Sequence, residues 1–338
     1  MEELNKYAHQ DEFGNTPNWM AWGESTLKAR SKVSVRRHVL SSVVPEMENI
    51  LTEHFVNIAK SCAHGLQIDK LCVGSAIDFN PLNTEKPDVA LCEGLIQSVE
   101  RMLRKCKEVN PDYCIAFEAV QDRFIPFIDV YYRNSALFMI SPLKYVFPEW
   151  TTCAHIGEPY DFNGVNSAVM TGAVICVEPG AYQQSLGAPI FRKLAEYIKE
   201  VERIRCELTD FIFLGDCFDR LGAEISVVEK EDNQQDSATK ELEIGGEVMI
   251  PGGGGGSSAG PTPGNLHFRV HGDKSSGRKA IVVINPASDA REYAWKFINT
   301  EGAKAELYEP FEEIRKVSSG EPLLIKGYGL HVILQNAG

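Results

Sequence analysis

Between residues 65 and 217 short apolar runs alternate with segments of helical periodicity, and this alternation limits the possible folds more than any other feature of the chain. The runs are GLQIDKL (65–71), YCIAFE (113–118), ALFMIS (136–141), AVICVE (173–178) and FIFLGD (211–216). They carry almost no polar alternation, as expected of parallel strands covered on both faces. VALCEGLIQSVERMLRKCKEV (89–109) and PIFRKLAEYIKEVERIRCEL (189–208) instead repeat apolar residues at three- and four-residue steps, the helical period. A further helix is predicted over 45–62, with Pro45 at a favourable first-turn position. Repeated βα units predict an α/β fold on a parallel sheet, open or closed into a TIM-type barrel.

The pattern changes near residue 220. Residues 229–265 are polar and then rich in Gly, Ser and Pro, which predicts a loop. LHFRVHG, KAIVVINPAS, YAWKFI, KAELYEPF and EPLLIKGYGLHVILQN follow, short β runs bounded by turn residues. They predict an antiparallel β-sandwich. The expected division is a βα domain over 1–219 and a β-sandwich domain over 220–338.

A net charge of −13 argues against nucleic acid and against an anionic membrane surface as partners, since both select a basic face. No stretch reaches the roughly 20 apolar residues of a membrane span, and the start, MEELNKYAHQDEFGN, lacks the apolar run of a signal peptide. The nine cysteines include no CxxC pair and several lie within apolar runs, so reduced thiols and a cytoplasmic location are expected. GGGGGSSAG lacks the Lys-Ser/Thr of a phosphate-binding loop, and the histidines show no ligand spacing; His155 with nearby acids offers only a weak metal site. No cofactor and no metal are expected.

In a βα-barrel, reactive groups sit at the C-terminal ends of strands. Four of the five runs carry an acid at or near their C-terminal end: Asp69, Glu118, Glu178 and Asp216. Two carboxylates in different surroundings are what glycoside hydrolysis needs, one attacking or activating water and one protonating the leaving oxygen. Asp69 precedes Lys70, whose charge favours the ionised form, while Glu118 follows an apolar approach that suits a general acid. Asp122 and Arg123 are placed to orient substrate or Glu118; Glu178 is either a sugar contact or one half of a strand-end ion pair. Asp216 abuts the expected boundary and reads as structural. Trp150 and Tyr160, on the expected loop after the third run, read as packing residues or as platforms for a sugar ring.

HGLQIDKL, a helix, and then NPDYCIAFEAVQDRFIPFIDVYYR resemble the middle of a retaining glycoside hydrolase barrel. The resemblance is to the group of endo-α-N-acetylgalactosaminidases and α-galactosidase-like enzymes. It implies that Asp69 is the nucleophile, that Glu118 is the acid/base, and that the β-rich tail with RKAIVVINPAS is the sandwich that follows such barrels. Two departures stand out. The insertion CVGSAIDFNPLNTEKPD (72–88) lengthens the path from Asp69 to Glu118, and only five strands are visible where a barrel needs eight. The expected fold is therefore a (β/α) barrel incomplete at its N-terminal side, completed by a missing segment or another subunit.

The reading is hydrolysis of an α-linked glycosidic bond, with a carbohydrate as partner. A non-catalytic carbohydrate-binding or structural barrel fragment is the alternative. A barrel lyase or aldolase using Lys70 or Lys144 ranks third.

Overall fold

The computed structural model describes residues 6–15, 40–61, 63–68, 77–118, 122–134, 142–178, 185–228, 266–300 and 304–336. Asp69, Lys70, the run 136–141 and the loop 229–265 lie outside them. The chain forms two compact units, residues 1–133 and, in the main, 134–338.

In the first unit, helix α1 (Pro45–Lys60) is followed by strand β1 (Gly65–Ile68), helix α2 (Leu95–Val109), strand β2 (Cys114–Glu118) and strand β3 (Val130–Asn134). A π-helical turn, Ala90–Gly94, leads into α2. The three strands pair in parallel, β1 with β2 and β2 with β3. Every buried residue of α2 from Leu95 to Cys106 recurs at helical spacing, which is why this segment was readable as a helix. α1 packs against it and the pair is clamped by Arg101, whose Nε and Nη2 donate to the two carboxylate oxygens of Glu48 at 2.7 Å each. Asp129 ties the start of β2 to the end of α2, accepting from the Ile115 amide at 2.8 Å and from Lys107 at 3.0 Å.

β2 is not covered evenly. Ile115 and Phe117 are buried, whereas Cys114 is exposed and Ala116 and Glu118 are intermediate. The run was expected to be buried on both faces. Because successive side chains point to opposite faces, this alternation marks one face packed under the helices and one less covered. Phe117 meets Phe124 edge to face at 6.2 Å on the packed side.

The second unit begins with helix α3 (Pro142–Val146), strand β4 (Thr151–Ile156), helix α4 (Phe162–Thr171) and strand β5 (Val174–Val177). Helices α5 (Arg192–Glu207) and α6 (Thr209–Ile212) follow. β4 and β5 are parallel. α4 ends on Gly172, whose φ of +67° favours glycine and whose Cβ, if present, would stand 2.6 Å from the Ile212 carbonyl oxygen. The strand expected over 211–216 is absent: Phe211 and Ile212 lie in α6 and bury in the core beside α5. Conversely, β3 and β4 were not anticipated, since VYYRN and TTCAHI form no apolar run.

The antiparallel strands are β6 (Asp216–Cys217), β7 (Ala223–Val227), β8 (His267–Gly272), β9 (Lys279–Ile284), β10 (Arg291–Phe297), β11 (Lys304–Tyr308), β12 (Arg315–Ser318), β13 (Leu323–Ile325) and β14 (Leu330–Gln335). They form a six-stranded sheet, β12-β11-β14-β9-β8-β6, and a three-stranded sheet, β13-β10-β7. The central strand β9 explains its own composition. Ala280, Val282 and Ile284 join α4 and α5 in one core, while Ile281 and Val283 join Tyr293, Trp295 and Phe297 in the core of the sandwich. Buried on both faces, KAIVVI has no room for a polar alternate. β14 does the same, except that His331 takes one inward position and its Nδ1 lies 2.8 Å from the Tyr293 hydroxyl. The fold is thus a partial (β/α) TIM-type barrel with an antiparallel β-sandwich.

Candidate functional site

The C-terminal ends of β1 and β2 are the first candidate region. The register sets Gly65 level with Cys114, Gln67 with Ala116 and Ile68 with Phe117. Gln67, Cys114 and Ala116 therefore share the less covered face, and Glu118, two residues beyond Ala116, continues it. Glu118 is the last residue of β2 and is partly buried. Asp69 follows Ile68 in the chain.

Asp122 and Arg123 open the 3₁₀ turn 122–127 that follows β2, and both are exposed. Arg123, expected to orient substrate or Glu118, forks its guanidinium onto Glu93 in the π-helical turn before α2, with Nη2 at 2.8 Å from Oε2 and Nη1 on Oε1. The hydrogen-bonded guanidinium draws the Glu93 carboxyl below its usual range. Glu93 gave no signal in the sequence because it lies on a different turn, 30 residues upstream.

The second region is the C-terminal ends of β4 and β5. Nε2 of His155 lies 2.7 Å from Oε2 of Glu178, with the two side chains 22% and 47% exposed. Glu178 is held in place by its amide, which donates to the Ile156 carbonyl at 2.9 Å. Asp161, missed in the sequence, caps α4 by accepting from the Gly164 amide at 2.7 Å. Burial pushes its carboxyl above the usual range, and Glu158 adds to the rise, against the lowering effect of the Gly164 amide and His155. Its signal was the PYDFNG stretch, an Asp at a helix start. Tyr160 stands on the same loop and is 67% exposed. Among the described residues no group of three or more His, Cys, Asp or Glu could hold a metal ion.

Two expectations need correction. Trp150 directly precedes β4, at the opposite end of the strand from His155, and is 8% exposed. It is a packing residue there and cannot stack on a sugar at the strand C-termini. Lys144 is 4% exposed, and its Nζ donates to the carbonyls of Pro148, Trp150 (3.2 Å) and Phe213 (3.0 Å). An ammonium with all three donors engaged below the strand starts does not serve as a Schiff-base lysine. Asp216 pairs with Lys274 at 3.3 Å, as a structural acid does. No described helix is long and apolar enough to cross a membrane.

No family model matches the chain, and no curated protein sequence is detectably related to it. Solved structures do share its fold. An α-amylase from Geobacillus thermoleovorans, complexed with acarbose, superposes with a TM-score of 0.53 at 10% identity, over 99% of this chain and 72% of that one. An α-amylase from H. orenii gives 0.54 at 10% identity, over 98% and 74%. A trehalose-6-phosphate hydrolase from Bacillus licheniformis gives 0.51 at 10% identity, over 98% and 75%. The chain therefore has the fold of these hydrolases, which agrees with the barrel and sandwich read from the sequence. These structures give no support to the narrower endo-α-N-acetylgalactosaminidase group.

Proposed function

We propose that the chain is a glycoside hydrolase that cleaves an α-linked glycosidic bond with retention. Asp69 is the nucleophile and Glu118 the acid/base. The observation that carries this reading is the register of β1 and β2. Ile68 and Phe117 are level, and the next residue on each chain segment is a carboxylic acid. Adjacent strands run about 4.8 Å apart, which supports the separation of about 5–5.5 Å that a retaining pair uses rather than the wider inverting one. In the first step Asp69 attacks the anomeric carbon while Glu118 protonates the leaving oxygen. In the second, Glu118 takes a proton from water, which displaces the sugar from Asp69.

Asp122 and Arg123 lie in the turn after Glu118 and are proposed to contact the sugar. Glu178, which pairs with His155 at 2.7 Å, and Tyr160 are proposed as further sugar contacts. The likeness of fold to α-amylases and a trehalose-6-phosphate hydrolase supports an α-linked substrate. The domain boundary near 219/220 is kept as part of the proposal; antiparallel pairing begins at Asp216.

Turnover of aryl α-glycosides tests the assignment. Asp69→Asn and Glu118→Gln each reduce kcat/KM by 10³-fold or more, on the order expected when a group acting in the transition state is removed. Unchanged activity in both variants ends the reading.

A further inference from the structure

From the start of β4 to the end of β5, residues 151–178 contain three acids, Glu158, Asp161 and Glu178, and no Lys or Arg. His155 is the only base in this stretch. Its Nε2 stands 2.7 Å from Oε2 of Glu178, yet off the direction of a ring N–H hydrogen bond. The contact is therefore an attraction between charges, and it acts in full only while the imidazole carries its second proton. The other groups of the stretch favour that state. The carboxyl of Asp161, raised by burial, is lowered by His155, and Glu158 acts on the same carboxyl from the loop. Cys176 is the register partner of His155 on β5, and Cys153 lies two residues before it on β4.

Gly157 makes room for the ring. A Cβ there would stand 3.1 Å from Cε1 of His155 and 3.7 Å from the Glu178 carbonyl oxygen. The glycine is not needed for its backbone, since it is absent from the positive-φ positions of the chain. It is needed because the imidazole folds back over it towards Glu178. The Glu178 main chain is tied to Ile156 at 2.9 Å, so the imidazole acts on where the carboxylate points.

We propose that His155 is a positioning residue that makes substrate binding depend on pH. Protonated, it holds the Glu178 carboxylate in place to accept from a sugar hydroxyl; neutral, it releases that carboxylate. The sugar rests on the glycosidase reading, whereas the response of the pair to pH does not.

Two crystal structures of the full chain, at about pH 5 and about pH 8, span the range in which histidine changes charge. Glu178 is expected against the imidazole in the first and turned away in the second; the same contact in both overturns the proposal. KM for an aryl α-glycoside is expected to rise severalfold between these pH values in the native chain, and to lose that rise in His155→Gln. Gly157→Ala keeps every charge but displaces the ring, so KM at the lower pH rises by up to about fivefold, the most that a pair this exposed contributes, with kcat moved less. A purely structural pair would lower Tm and leave the KM–pH profiles of native chain and variants parallel, which also overturns the proposal. Should the carboxylate swing with pH while no glycoside is turned over, the pair's response stands and only the hydrolase reading falls.

Discussion

Ile68 and Phe117 are register partners on adjacent parallel strands, and both are buried on the helix-covered face. Each is the last such residue before a carboxylic acid in the chain. Phe117, 1% exposed and edge-on to Phe124, fixes the height at which Glu118 leaves its strand. Phe117→Ala is expected to cost about 3–5 kcal/mol of stability. Urea denaturation reads that loss, and a midpoint unchanged from the native chain contradicts the packing described.

Glu178→Gln separates a binding role from a structural one. The His155–Glu178 pair is half exposed, so its removal costs no more than about 1 kcal/mol. On the proposed function the same substitution raises KM several-fold. A thermal melt and a Michaelis curve on one preparation check both; a large fall in Tm with KM unmoved assigns the pair to stability alone.

Arg123→Ala behaves in a similar way for a different reason. Its partner Glu93 is 45% exposed and the guanidinium 54%, so the fork contributes little to folding despite its geometry. Stability is expected to change by less than about 1 kcal/mol, while KM for a glycoside rises. Equal kinetics in the two proteins remove Arg123 from the site.

Burial lowers the Lys144 ammonium to about 8 from 10.5. Below pH 8 both folded and unfolded states hold the proton, and this group adds no pH dependence. Between about 8 and 10.5 the unfolded state holds more protons, so unfolding free energy gains from this residue as pH rises, by up to about 3 kcal/mol. Lys144→Met leaves three carbonyls without their donor and is expected to cost about 2–4 kcal/mol at pH 7. The difference between native and variant stability then widens from pH 8 to 10; a difference that narrows contradicts this account.

The helices were legible wherever one face alone was buried. In α5, Leu194, Tyr197, Ile198, Val201 and Ile204 are buried at three- and four-residue steps, and the sequence shows that period directly. β9 was legible for the opposite reason, since burial on both faces makes it an uninterrupted apolar run, and β14 repeats this with only His331 breaking it. β4 was not, because TTCAHI places polar atoms on a half-covered strand. That omission carried Trp150 onto a supposed loop and hid the fact that it lies at the wrong end. FIFLGD misled because a helical turn that buries Phe211 and Ile212 reads locally like a strand. At the site, Glu118 was visible as an acid ending an apolar run. The Glu93–Arg123 and His155–Glu178 pairs depend on turn geometry and strand register, which no local pattern encodes.

The central claim is that Asp69 forms a covalent bond to the sugar with Glu118 as its proton partner. A 2-deoxy-2-fluoro or 5-fluoro α-glycosyl fluoride slows the second step, so the labelled enzyme can be digested and its peptides weighed. The account predicts one sugar per chain, attached to the peptide that contains Asp69. A label on a different carboxylate, or steady turnover with no covalent adduct, contradicts it.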